Sequence, residues 1–278
     1  GEFYSEFGTY DVKITLPKNY VLGATGDIQN NPEEIAWMDE LAAKTKLIKD
    51  YDKKDLDHPV SSTEMKTVHF HQENVHDFAW FCDKRYHVLK GEVELPHSGR
   101  KVTTWVMFTN QYSHLWTNGI EYVNDAVYYY SKWNGDYAYN HCTAVDGALS
   151  AGGGMEYPNI TVIGGVQSAG MLETVIMHEV GHNWFYGMLG SNERVHPWMD
   201  EGINSANELR YNETKYPNGA LIGGKNGPNE IAGIFGLSRY KQKAQYYQLF
   251  ALTARQDIDQ PCEMHSADYT SINYGGIV

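Results

Sequence analysis

The sequence predicts an α+β fold, strand-rich first and helix-rich later, and three observations carry that prediction. Apolar and polar residues alternate between Thr67 and Asn110, the period of a half-buried strand. Later stretches at 171–188, 197–211 and 238–256 place their apolar residues at helical spacing. With 42% hydrophobic and 13% aromatic residues, the 278-residue chain has ample material for a core, as one large domain or two smaller ones.

In chain order, residues 10–28 read as short strands and turns around Pro17 and Gly23. A helical insertion follows at about 32–50, with Pro32 in the first turn, acidic residues after it and lysines at the far end. The polar stretch DKKDLDHPVSS is a loop. Three strand-like runs follow, KTVHFHQENVHDFAWF, RYHVLKGEVELP and RKVTTWVMFTN. A tyrosine-striped helix starts at His114, and its stripe reads as core and helix-contact surface. GALSAGGGMEYPNITVIGG is Gly-rich and then strand-like, and leads to the helix at 171–188. A loop and the helix PWMDEGINSANELRY come next, then turns around NGPNE, then a last helix. The change from strands to helices places a domain boundary near residues 99–111.

The charge balance narrows the function. Thirty-five acidic against 22 basic residues give a net charge of −13, which disfavours a nucleic-acid or anionic-membrane partner. No apolar run reaches membrane-spanning length and no signal peptide opens the chain. The opening GEFYSEFGTY lacks methionine, as a processed or cut product would. The compartment stays open, with an extracytoplasmic setting, periplasmic or secreted, favoured over the cytoplasm. Cys82, Cys142 and Cys262 are odd in number and far apart, so they suggest neither a disulfide framework nor a thiolate zinc site.

The chemistry concentrates in TVIMHEVGHNWFYG, Thr174–Gly187. His178 and His182 are four residues apart, so a helix presents both on one face. Glu179 flanks that face, completing H-E-x-x-H: two imidazoles for Zn²⁺ and a carboxylate to take a proton from water. Glu201 follows after 18 intervening residues, enough for one loop and the start of a second helix that returns a carboxylate to the histidines. Glu201 also reads as a helix N-terminal carboxylate favoured by the dipole, and the two readings are compatible. Asp200 and Asn204 lie near the same face, where either can hold the far nitrogen of a ligand histidine.

HEVGH, 18 residues, then the glutamate of WMDEG resembles the gluzincin aminopeptidases of the aminopeptidase N and leukotriene hydrolase family, in a bacterial-type member. Their pattern is H-E-x-x-H, then Glu within W-x-N-E-G. HNWF is similar to their H-Q-W-F, and Glu208, seven residues past Glu201, matches a glutamate that often follows. Asp200 departs from the family's Asn. The resemblance implies one Zn²⁺ per chain held by His178, His182 and Glu201, with Glu179 as the base. It also gives AGGGMEYP a role, since the family carries G-x-M-E-N there. Gly153, Gly154 and Met155 would let a peptide backbone approach, and Glu156 would pair with its free ammonium group; Tyr157 stands where the family has Asn. An internal peptide bond offers no cation to that carboxylate, and an unpaired buried charge costs several kcal/mol, so free N-termini are expected to be selected.

The family's transition state is also steadied by a tyrosine hydroxyl in a Tyr-x-Lys-Gly-like setting. Tyr274 is the nearest candidate, or the residue lies beyond Val278. The resemblance implies that residues 1–98 end a β-rich N-terminal domain. Residues 99–278 then form the front of a thermolysin-like zinc peptidase catalytic domain, incomplete at its C-terminal lobe. The expected function is a zinc-dependent aminopeptidase acting on peptides with a free N-terminus. The alternatives are a zinc endopeptidase of the same fold and a catalytically incomplete metal-binding or interaction module. The oligomeric state is not readable.

Overall fold

Residues 6–94 alternate short strands with one helix, and the order of burial along them sets the architecture. The computed structural model describes residues 4–149, 153–217, 241–271 and 273–274. The turns expected around NGPNE, the start of the last expected helix and the terminal GGIV lie outside these residues, as do Ser150–Gly152 of the Gly-rich stretch. The chain forms two compact units: Glu6–Asn183, and Trp184–Val278 with the first five residues.

In Glu6–Asn183, the strands β1 (Gly8–Pro17), β2 (Val21–Ala24) and β3 (Asp27–Ile28) come first, followed by the helix α1 (Pro32–Leu47). Asn31 caps α1 by accepting the Glu34 N–H at 3.1 Å, Pro32 opens it, and Glu33 and Glu34 complement its dipole against Lys44 and Lys46 at the far end. Glu34 is buried and takes the Lys66 ammonium at 2.6 Å, which also lies 3.9 Å from the Trp37 ring centre. The expected run KTVHFHQENVHDFAWF divides into β4 (Met65–Val75) and β5 (Trp80–Asp83). Then come β6 (His87–Glu94), β7 (Lys101–Phe108), α2 (Ser113–Trp116), α3 (Gly119–Asn134), β8 (His141–Asp146), β9 (Gly153–Met155), β10 (Ile160–Gly164) and α4 (Ala169–Gly181).

Three sheets result. β1-β4-β3 and β2-β5 are antiparallel, and a five-stranded mixed sheet runs β6-β7-β8-β10-β9. Its centre, β7-β8-β10, is parallel, and β8 and β10 are buried along almost their whole length, as parallel strands covered on both faces must be. Residues 98/99, where the sequence divides the chain, fall in the turn joining β6 to β7, whose pairing runs from His87↔Phe108 to Glu94↔Lys101. α1 packs on β6, α3 crosses β6, β7 and β8, and α4 lies against α3, β9 and β10. Val21, Met38, Val88, Met107, Val145 and Ile160 form the core between α1 and the large sheet.

The helix expected over 171–188 is shorter. Ser168 starts it by accepting the Met171 N–H at 3.1 Å, and α4 ends at Gly181. The aromatic run beyond it is helical in spacing only: Phe185 (φ −99°, ψ 99°) and Tyr186 (φ 107°, ψ −66°) leave the helix, and both side chains are buried. The unit that opens there carries a wide helical turn at Trp198–Gly202, then α5 (Ile203–Lys215) and α6 (Lys241–Arg255).

Candidate functional site

His178 lies in the final turn of α4 and His182 is the residue that caps its end, where the negative end of the helix dipole favours a bound cation. Their Nε2 atoms stand 3.1 Å apart with the rings nearly perpendicular, at 81°. Two nitrogens each 2.0–2.1 Å from one tetrahedral zinc would stand about 3.3 Å apart, so the pair fits such an ion. His182 is buried and His178 half-buried, which leaves the latter facing the accessible side.

Glu179 reaches from α4 to β9. A Cβ built on Gly154 would lie well inside 3.0 Å of the Glu179 carboxyl group, so glycine is required for this approach. Gly153, the preceding residue, takes φ +78°, a conformation glycine adopts freely. β9 pairs antiparallel with β10 through Gly153↔Gly164, Gly154↔Ile163 and Met155↔Val162, and among the described residues it is the last strand of its sheet. Glu156 follows β9 directly. It is buried, as is Glu179, and one ligand atom each of Glu156, Glu179 and His182 lie within 4.8 Å of one another. Two carboxylates and an imidazole so close in a buried place are a group able to hold a cation.

Two residues that the sequence did not single out hold this arrangement. Asn183, next to His182, donates from Nδ2 to the Val180 carbonyl at 2.9 Å and accepts the Asn159 N–H at 2.9 Å. Asn159 is fully buried at φ +51°, a conformation that asparagine tolerates better than most residues. Its side chain accepts the Gly26 N–H at 2.9 Å and donates to Gln72 Oε1 at 3.0 Å, and its carbonyl accepts the Thr143 N–H at 3.0 Å. Thr25 Oγ1 donates to the Pro158 carbonyl at 3.0 Å beside it. The Pro-Asn pair was the available signal: it marks a turn, with asparagine where a left-handed residue is needed.

The remaining expected residues belong to the second unit. Asp200 and Glu201 lie in the wide turn before α5, Asp200 buried and Glu201 half-buried. Asn204 and Glu208 follow on α5, both buried. Tyr274 donates its N–H to the Thr270 carbonyl at 2.8 Å and meets Tyr269 edge-on at 6.0 Å. The sequence-expected residues thus separate into His178, Glu179, His182 and the Gly153–Glu156 strand on one unit, and Asp200, Glu201, Asn204 and Tyr274 on the other.

No protein-family model and no curated protein matches the sequence. Solved structures do. A point mutant of a two-domain M1 zinc metallopeptidase bound to L-arginine matches at TM-score 0.60 and 16% identity, over 99% of this chain and 51% of that one. The M1 zinc metallopeptidase from Deinococcus radiodurans matches at TM-score 0.57 and 15% identity, over 99% and 52%. A mutant of that enzyme bound to a Tyr-Ser-Ala substrate matches at 0.57 and 15%, over 98% and 51%. Among the described residues, no helix is long and apolar enough to cross a membrane. The chain spans about half the length of these structures and shares with them the fold of an M1 zinc metallopeptidase.

Proposed function

We propose that the chain carries the centre of a zinc-dependent aminopeptidase. His178, His182 and Glu201 would hold one Zn²⁺, with Asp200 and Asn204 orienting the ligand side chains. Bound zinc supplies a Lewis acid that polarises a carbonyl and makes water a nucleophile near neutral pH. Glu179 takes the proton from the attacking water and delivers it to the departing amine. Glu156 receives the peptide's terminal ammonium, while the backbone of Gly153, Gly154 and Met155 lies along the first residues. Tyr274 is the candidate hydroxyl for the oxyanion.

The observation that carries this reading is Glu179 seated against the glycine strand, beside two imidazoles 3.1 Å apart and a second buried carboxylate. A general base alone would need no such strand. A carboxylate poised beside a strand that, among the described residues, is the last of its sheet suits hydrolysis of a peptide paired along that strand at a measured distance from the chain end.

The test pairs zinc content with hydrolysis of alanyl- and leucyl-amides. Glu179→Gln should retain the metal and lower kcat by about 10²–10⁴, the usual worth of a general base. Glu201→Gln should lower zinc occupancy. Free peptides should be cleaved about a hundredfold faster than N-acetylated ones; equal rates would favour an endopeptidase, and zinc binding without any hydrolysis would favour an inactive module.

A further inference from the structure

The Asn159–Asn183 contact joins two parts of the site that the sequence keeps apart. Asn183 directly follows a histidine of the H-E-x-x-H pair, and Asn159 lies three residues after Glu156. A single bond, Asn159 N–H to Asn183 Oδ1 at 2.9 Å, therefore ties the end of α4 to the turn carrying the amino-end carboxylate. Both ends are braced. The Asn183 amide is oriented by its bond to the Val180 carbonyl, and Asn159 is held on β8, on Gly26 and on Gln72. Both side chains are at least 95% buried, so water does not compete for these bonds, and a buried amide stripped of its partners is costly. Besides the packing of α4 on β9 and β10, the turn is held by the β9–β10 hairpin, which pairs three residues, two of them glycine in β9.

We infer that Asn159 and Asn183 form a positioning clamp that fixes the Glu156 carboxylate relative to His178 and His182, and so sets how far from its free amino end a peptide is read. This rests on the aminopeptidase reading of Glu156. Neither residue touches the peptide; both act through the turn between β9 and β10.

The experiment uses the zinc-loaded chain and the variants Asn183→Leu and Asn183→Asp. Leucine fills similar volume without polar atoms. Aspartate keeps the oxygen that receives the Asn159 N–H. Asn159→Gly retains the left-handed backbone and removes the side-chain bonds. Zinc content is measured first. Calorimetry then gives affinity for L-leucinamide and N-acetyl-L-leucinamide, steady-state kinetics the KM and kcat for leucyl-p-nitroanilide, and hydrogen exchange the protection of residues 153–164. Asn183→Leu and Asn159→Gly should keep full zinc occupancy, weaken L-leucinamide binding and raise KM about tenfold. They should leave kcat within about threefold and speed exchange in the β9–β10 segment. Asn183→Asp, which keeps the accepting oxygen and gives up the donor to the Val180 carbonyl, should raise KM less than Asn183→Leu does. The clamp is overturned if Asn183→Leu leaves KM and β9–β10 exchange unchanged, or if zinc occupancy, kcat and KM all collapse together, as a merely structural role would require. Failure of the parent itself to prefer L-leucinamide over its acetylated form would instead overturn the reading of Glu156, while the exchange measurement still decides whether the two segments are coupled.

Discussion

Gly154 leaves no space for a methyl group beside the Glu179 carboxyl, so the Glu179 side chain and the backbone of the strand occupy adjoining volumes. Gly154→Ala must displace one of them. The expected result is a kcat at least about a hundredfold lower with zinc retained, comparable to deleting a general base; metal analysis with steady-state kinetics checks it. Retention of full activity would mean that Glu179 works from another position. The need for glycine was legible in AGGGMEYP as permission for close approach, but the group that approaches was read as substrate alone. That the strand also meets Glu179 depends on which helix face packs on β9, a tertiary fact without a local signature. Asn159 and Asn183 were missed for the same reason: an amide bonded to residues distant in sequence looks, in the sequence, like any other polar residue.

At the scale of elements, periodicity served well wherever burial was one-sided. The helix expected at 32–50 is α1, and the expected strand runs from 85 to 110 are β6 and β7. It failed after Gly181, because buried aromatics at helical spacing are satisfied equally by a kinked segment. The entry into β8 makes a prediction of its own. Burial pushes Tyr139 up from 10.0 to about 12. It likewise pushes Cys142 up from 9.0 to about 12, with a bond to Tyr137 opposing the rise. Tyr137 is raised too, by burial first and then by Cys142. In the unfolded chain these groups lose protons nearer their ordinary values, so above about pH 9 the unfolded state binds fewer protons than the folded one. The stability they contribute is complete below that pH and is lost as pH rises towards 12. The urea midpoint should therefore fall between pH 8.5 and about 11, and Cys142→Ala should flatten the lower part of that fall.

At the scale of the whole molecule, a metal that binds only the folded chain stabilises it by mass action. Zinc at a hundred times its dissociation constant contributes about 2.7 kcal/mol. For a chain of this size that corresponds to a rise in Tm of roughly 5–10 °C. Adding zinc to the apo chain should produce that rise, a chelator should reverse it, and His182→Ala should abolish it. A Tm indifferent to zinc would contradict a metal site formed by folding.

The bonds around Asn159 also order events in time. Its partners lie 133 residues away at Gly26, 87 at Gln72 and 24 at Asn183. Closing such loops is slow, and no fragment of the sequence contains all of them locally. The turn after Glu156 and the end of α4 should therefore lock together late in folding, and a half-made chain carries His178 and His182 without the bond that ties them to that turn.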